Sequence, residues 1–201
     1  MGVGLISLSV AFVLARGTVM PWQAQAPGPR MPYVDWGACP FEGCVYREWI
    51  AQQAAIVRTT RRRDAPVAFR LSPGDKVTAL TGVVIITEPG IAEFSQDATL
   101  ANLTSAGPLE IHVKPGDRLY LLTYHGEGET TAWFKGRLLD HLDVSGVIND
   151  VCRTKPDRCI GRVVAKPVCE WWVQVQRNDG KKGWTLDTSA FANKDRFGGN
   201  E

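Results

Sequence analysis

Apolar and polar positions alternate with period two over several short stretches of this chain, and few stretches repeat with helical period. Ala65–Leu71 is an extended segment that leads into Leu71-Ser-Pro-Gly-Asp-Lys-Val-Thr-Ala-Leu-Thr81. That run aligns with Val113-Lys-Pro-Gly-Asp-Arg-Leu-Tyr-Leu-Leu-Thr123, 42 residues later, itself preceded by the extended Pro108–Val113. Pro-Gly supplies a turn with one positive-φ position, so strand, Pro-Gly-Asp turn, strand is written twice. Nearer the C-terminus Trp171–Gln176 alternates, Asn178-Asp-Gly180 gives a tight turn and Lys181–Leu186 returns, which predicts a β-hairpin. Arg47–Val57 admits a helix, but Trp49, Ala51, Ala55 and Val57 also fit period two, and its second half is read as a strand. Residues 91–107 read as a connection carrying at most one helical turn. Residues 138–168 read as a long loop, apart from Arg162–Ala165. The fold class this predicts is all-β, built of small barrels with long loops and little helix.

The period assigns faces. On the closing hairpin Trp171, Val173 and Val175 share one side, and Trp172, Gln174 and Gln176 the other. The valine side is the expected core, so Trp171 is read as packed and Trp172 as the tryptophan that reaches the surface. By the same rule Leu119 and Leu121 point inward, while Tyr120, Leu122 and Tyr124 face the other way. Tyr120, Tyr124 and Trp172 are therefore the candidate ligand-binding set, able to stack on a sugar or peptide. The competing reading is that these aromatics cover a seam between two modules.

Composition narrows the class. The 201 residues carry 23 Lys plus Arg against 21 Asp plus Glu, a net charge of +2. No strongly basic stripe of the kind nucleic-acid binders use is expected. A 44% hydrophobic share excludes wholesale disorder. Arg61-Arg-Arg63 is the one dense charge run, and at three residues it reads as a solvated hairpin loop ahead of Asp64 rather than as an anion-binding patch.

Val3–Ala15 is an apolar run of signal-peptide rather than membrane-span length, and Ala24-Gln25-Ala26 offers a cleavage position after Ala26. The rival is an uncleaved anchor over residues 3–20, interrupted by Arg16. No membrane span is expected after cleavage. The five cysteines agree with an exported chain. Cys39 and Cys44 flank a short loop with Pro and Gly, and Cys152 and Cys159 flank one around Pro156-Asp157. Fifteen arrangements of two bridges exist for five cysteines, and local pairing, Cys39–Cys44 and Cys152–Cys159 with Cys169 reduced or buried, is the expectation. Cys152, Cys159 and Cys169 with His141 match no usual zinc-hairpin spacing, so neither metal nor cofactor is expected.

Leu-x-Pro-Gly-Asp-x-Val-x-Ala-Leu, then Trp172-Val-Gln-Val175 followed by Asp179-Gly-Lys-Lys-Gly-Trp184, resembles the bacterial SH3-like (SH3b) module over roughly residues 50–188. The resemblance implies small five- or six-stranded barrels in an exported protein, a peptidoglycan-type or peptide ligand, and large aromatics such as Trp133, Trp171, Trp172 and Trp184 supporting a small core. It divides the chain into residues 1–26 (signal), 27–48 (a cysteine-containing segment), 49–107 (first module and connection), 108–192 (second module, loop 138–168 inserted) and 193–201 (tail). The chain departs from the pattern in having one closing hairpin for two opening repeats. Either Val83–Thr87 closes the first barrel in degenerate form, or the two repeats build one composite unit.

No His-Glu-x-x-His, Gly-x-Ser-x-Gly or P-loop motif occurs. His125 reads as a hairpin-tip residue, and Glu127 and Glu129 beside it as solvated carboxylates rather than an acid–base pair. The expectation is a non-catalytic, periplasmic or secreted binding module. The alternatives are a structural or partner-holding domain and, more remotely, a divergent wall hydrolase.

Overall fold

A computed structural model describes residues 28–147 and 149–198, so the expected signal peptide, its cleavage position and the rival anchor lie outside the described residues. In chain order the first strands are β1 (Tyr33–Trp36), β2 (Glu48–Ala51), β3 (Ala55–Arg58), β4 (Val67–Leu71) and β5 (Lys76–Glu88). Then come β6 (Gly90–Phe94), β7 (Ala98–Thr104), β8 (Gly107–Val113), β9 (Arg118–Gly126), β10 (Glu129–Phe134), β11 (Arg137–Asp143) and β12 (Gly161–Ala165). The last are β13 (Val168–Gln176), β14 (Lys182–Thr185) and β15 (Phe191–Ala192). Among the described residues one six-residue helix, α1 (Asn149–Thr154), and short 3-10 turns interrupt an otherwise all-β structure.

The strands form two antiparallel sheets. The first runs β15-β2-β5-β13-β14-β3-β4 with β1 added against β5, and the second runs β12-β6-β9-β10-β11-β7-β8. Position by position the two orders are the same: an opening strand, a hairpin, a long central strand, a closing hairpin and an edge strand. The second sheet, residues 90–165, lies in the chain between β5 and β13 of the first. The expected module boundary near residue 107 therefore falls inside the second sheet, at the start of β8. Val83–Thr87 does not close a barrel. It is the distal half of β5, and the first unit is closed by β13–β14 from the far side of the insertion.

The Pro-Gly-Asp repeats fold alike. Asp75 Oδ2 accepts from the Ser72 backbone N–H at 2.7 Å, and Asp117 Oδ2 from that of Lys114 at 3.0 Å. Gly74 and Gly116 hold φ of 91° and 84°, and their N–H groups donate to Ala51 and Phe94 on the opening strand of each sheet. The basic residue that follows pairs with a glutamate on that strand: Lys76 with Glu48 at 2.9 Å, Arg118 with Glu93 at 2.8 Å.

Each sheet curls round its own core. Trp49, Val57, Phe69, Leu71, Val173, Val175 and Phe191 meet in the first, so strands at both ends of the sheet order share one cluster. Phe94, Ile111, Leu119, Leu121, Phe134 and Leu142 meet in the second. A third cluster, Ala38, Val84, Ile86 and Leu122 with Met31, Tyr33 and Trp171 against it, forms the seam between the sheets. Residues 91–107 are not a connection but β6, β7 and the start of β8. Residues 138–168 hold most of β11 and all of β12 besides α1. Arg47–Val57 is two strands, β2 and β3, rather than one. The tail pairs with the cysteine-containing segment: Cys44 bridges to Asp195, and the Arg47 guanidinium donates to the carbonyls of Asn193 and Asp195.

Candidate functional site

Trp171 faces inward as its parity requires. It packs against Trp49 and Phe41 at ring separations of 5.8 and 5.7 Å, and its Nε1–H donates to the Tyr46 hydroxyl at 3.2 Å. Burial pushes the Tyr46 phenol above its ordinary range. Trp172 lies on the opposite face but is only 1% exposed, so it is not the surface tryptophan. Cross-strand register sets Trp36 of β1 beside Val83 of β5, and Val83 beside Trp172 of β13, so the outer face carries an apolar row of its own. The loop joining β3 to β4 folds back over that row. Arg63 Nε donates to Glu170 Oε1 at 2.9 Å, and the other Glu170 oxygen accepts from Trp172 Nε1 at 2.9 Å. Those two donors, the indole first, hold the Glu170 carboxyl below its ordinary range. Arg61 lies over Trp36, its guanidinium carbon 4.0 Å from the ring centroid, and 5.1 Å from that of Trp184. Arg62 and Arg63 are exposed, as a solvated loop requires, but the loop is tethered to the sheet through Arg63 and Glu170 and through Arg61, half-buried over the two indoles.

What stays exposed is Trp36, at 62%. It stands on a strand hydrogen-bonded to β5 and flanks a guanidinium already held in place. Tyr33-Val-Asp-Trp36 does not alternate in sequence and only its exposure does, Val34 and Trp36 outward and Tyr33 and Asp35 half-buried, so period two gives no signal for this strand. Trp184 is half-buried beneath Arg61, while Val173 and Val175 are fully buried.

Tyr120 and Tyr124 belong to the second sheet and do not join Trp172. Tyr120 pairs with Trp133 and lies against Gly28, whereas a β-bulge brings Tyr124 opposite Thr130, on the Leu121 side of the strand. The two tyrosines therefore no longer share a face. Leu122 turns into the seam, and Trp172 points away from it. The groove expected from these three residues does not form.

Bulges build a second polar constellation on the seam side of the second sheet. Register shifts leave His125 as an extra residue of β9, and set Asp140 and His141 of β11 opposite the single residue Thr131 of β10. Both imidazoles then emerge together, stacked at 4.7 Å, with His141 at φ 49°. His125 Nε2 and Thr131 Oγ1 are 2.8 Å apart, Thr131 donates to Asp140 at 2.7 Å, and His141 Nδ1 meets Glu129 at 2.9 Å. Burial, then the charges of Asp35 and Asp140, push the Tyr33 phenol up to about 12 against a hydrogen bond with Thr131 that works the other way. His125 is therefore a strand residue in a network, not a hairpin tip. It opens on a cleft of about 310 Å³ shared with Phe41, Glu42, Glu127 and Phe197. Among the described residues no three His, Cys, Asp or Glu side chains are arranged to hold a metal ion.

The bridges join Cys39 to Cys44 and Cys152 to Cys159, with Cα separations of 5.7 and 4.7 Å. Two bridges fit an oxidising compartment. Cys169 is a free thiol and, contrary to the alternative of burial, exposed. No helix among the described residues is long and apolar enough to cross a membrane. No known protein family, curated protein or solved structure matches the chain.

Proposed function

We propose that this protein is an exported, non-catalytic binding module of the SH3-like type. It acts at the cell envelope on a peptidoglycan-type or peptide ligand through the face that bears Trp36, Arg61 and Trp184. The observation that carries the reading is Trp36. It is a large aromatic, 62% exposed, on a paired strand and fixed against a neighbouring guanidinium. A rigid aromatic of this kind loses little conformational entropy when a sugar ring or peptide plane stacks on it, and such anchors concentrate binding energy. The two disulfides and the apolar Val3–Ala15 run support export.

Retention of the mature chain on purified peptidoglycan tests this. Trp36→Ala should weaken retention about thirtyfold, or ~2 kcal/mol, while leaving the melting temperature within about 1–2 °C of wild type. Tyr124→Ala should change neither. Failure of the wild-type chain to be retained, or equal retention of Trp36→Ala, refutes the reading.

A further inference from the structure

The arginines of the covering loop, and Arg58 at the end of β3 before it, differ in one respect. Arg58 donates to the Ala65 carbonyl at 2.8 Å, Arg62 grips Asp64 through two bonds of 3.0 and 2.7 Å, and Arg63 is bound to Glu170 at 2.9 Å. Arg61 alone is held by ring contacts, over Trp36 and Trp184, and among the described residues no carboxylate or carbonyl engages its guanidinium. Cation–π contact uses the faces of a guanidinium and leaves the N–H donors at its planar edge. Two carboxylates of this surface, Asp64 and Glu170, are already bound to Arg62 and Arg63. Arg61 therefore carries guanidinium donors with no acceptor among the described residues. Contact with two indoles restricts the rotamers of the side chain before any ligand arrives.

We infer that Arg61 is the receptor for a carboxylate on the ligand, with the atoms attached to that carboxylate lying on the exposed Trp36 ring. This rests on the reading that the Trp36 face binds ligand. One planar edge matches one planar carboxylate through two parallel N–H···O bonds, and the indole beside it suits a small apolar substituent. The chemistry is that of a peptide C-terminus or an amino-acid side-chain acid rather than of a neutral glycan.

The test titrates the mature chain with acetyl-Ala-Ala as the free acid, as its C-terminal amide and with inorganic phosphate, following tryptophan fluorescence. The free acid should give a saturable change and the amide at least tenfold weaker binding. Arg61→Gln should abolish the response to the acid, and Arg61→Lys, which keeps the charge but loses the fork, should weaken it at least fivefold. Circular dichroism and the melting temperature of both variants establish that the loop still covers Trp172. Equal binding of acid and amide, an unchanged response in Arg61→Gln, or tighter binding of phosphate than of the acid would each overturn the inference. Retention on peptidoglycan separates the two readings. If the acid binds and peptidoglycan does not, the envelope reading falls and the receptor stands. If Arg61→Gln is retained as well as wild type, the receptor falls and the envelope reading stands.

Discussion

Removing the Trp172 ring is the sharpest test of the outer-face packing. A buried tryptophan withdraws about 150–250 Å² from water, which at ~25 cal/mol per Å² amounts to about 4–6 kcal/mol. A compact unfolded chain lowers that by some 10–40%. Trp172 is 1% exposed and its Nε1–H is bonded to Glu170 at 2.9 Å, so Trp172→Ala forfeits the area and leaves Glu170 with Arg63 as its partner. The expected loss is ~4 kcal/mol, within the usual span for an aromatic truncated to alanine. At ~2–4 °C per kcal/mol for a chain of this size, the melting temperature should fall by about 8–16 °C. Trp172→Phe keeps most of the area and loses only the donor, so it should cost ~1–2 kcal/mol. Trp36→Ala, on the same face but 62% exposed, should cost under ~0.5 kcal/mol. Urea titrations of the three variants decide the matter. A loss below ~1 kcal/mol for Trp172→Ala, or losses for Trp36→Ala that match it, would show that the arginine loop does not seal the row.

Three further expectations follow from the packing. A Cβ on Gly82 would meet the Tyr46 hydroxyl and lie 2.7 Å from Trp171 Nε1, so Gly82→Ala should lower stability by ~2 kcal/mol in denaturant titration. Non-reducing peptide mapping should recover Cys39–Cys44 and Cys152–Cys159, each worth ~2 kcal/mol, and Cys169 should be the one thiol that titrates in the native chain. Partial desolvation by its neighbours raises that thiol although its surface is exposed, so it should react more slowly near neutral pH than a free cysteine. The Tyr33 phenol is pushed up to about 12, so the fold favours its neutral form. Its contribution is complete below pH ~10 and lost as pH rises from there through about 12, a decline that Tyr33→Phe should lessen in alkaline denaturation curves.

Much of the fold was legible because it is local. The two Pro-Gly-Asp turns are written in four residues each, and both carry the same Asp-to-backbone bond. The closing hairpin of the first unit announces itself through Asp179-Gly180. Its counterpart in the second unit does not. β10 and β11 turn on Lys135-Gly136 with Lys135 itself at φ 47°, a conformation that a lysine does not advertise. β7 and the outer half of β8 are mostly exposed and built of small or weakly patterned residues, and so resemble a connection. The candidate site was misread for a related reason. Period two assigns faces but not covers, so it puts Trp172 on a wet surface over which Arg61–Arg63, 109–111 residues earlier in the chain, in fact fold. Period two also assumes an unbroken strand, and the bulge in β9 reverses parity between Tyr120 and Tyr124.

The nesting of the two units explains how the second sheet bears on the Trp36 face. β5 pairs with β13 as far as Glu88 opposite Val168, and β6 pairs with β12 from Ile91 opposite Ala165. One two-stranded ribbon thus passes from sheet to sheet, broken where Pro89 and Pro167, which have no N–H to donate, interrupt the ladder. Because the ends of the insertion are already neighbours, the second unit occupies the tip of a hairpin and adds little closure entropy to the first. The ribbon brings Leu122 of β9 against Val84 and Ile86 of β5, and Thr131 of β10 to the Tyr33 hydroxyl. β1 is only four residues long and hydrogen-bonded on one side, too short to be stable by itself. Its alternation turns Tyr33 to the second sheet and Trp36 to the outer face, so the contact that anchors one end of the strand fixes the indole at the other. The second sheet acts on the Trp36 surface at one remove, by holding the strand that carries it.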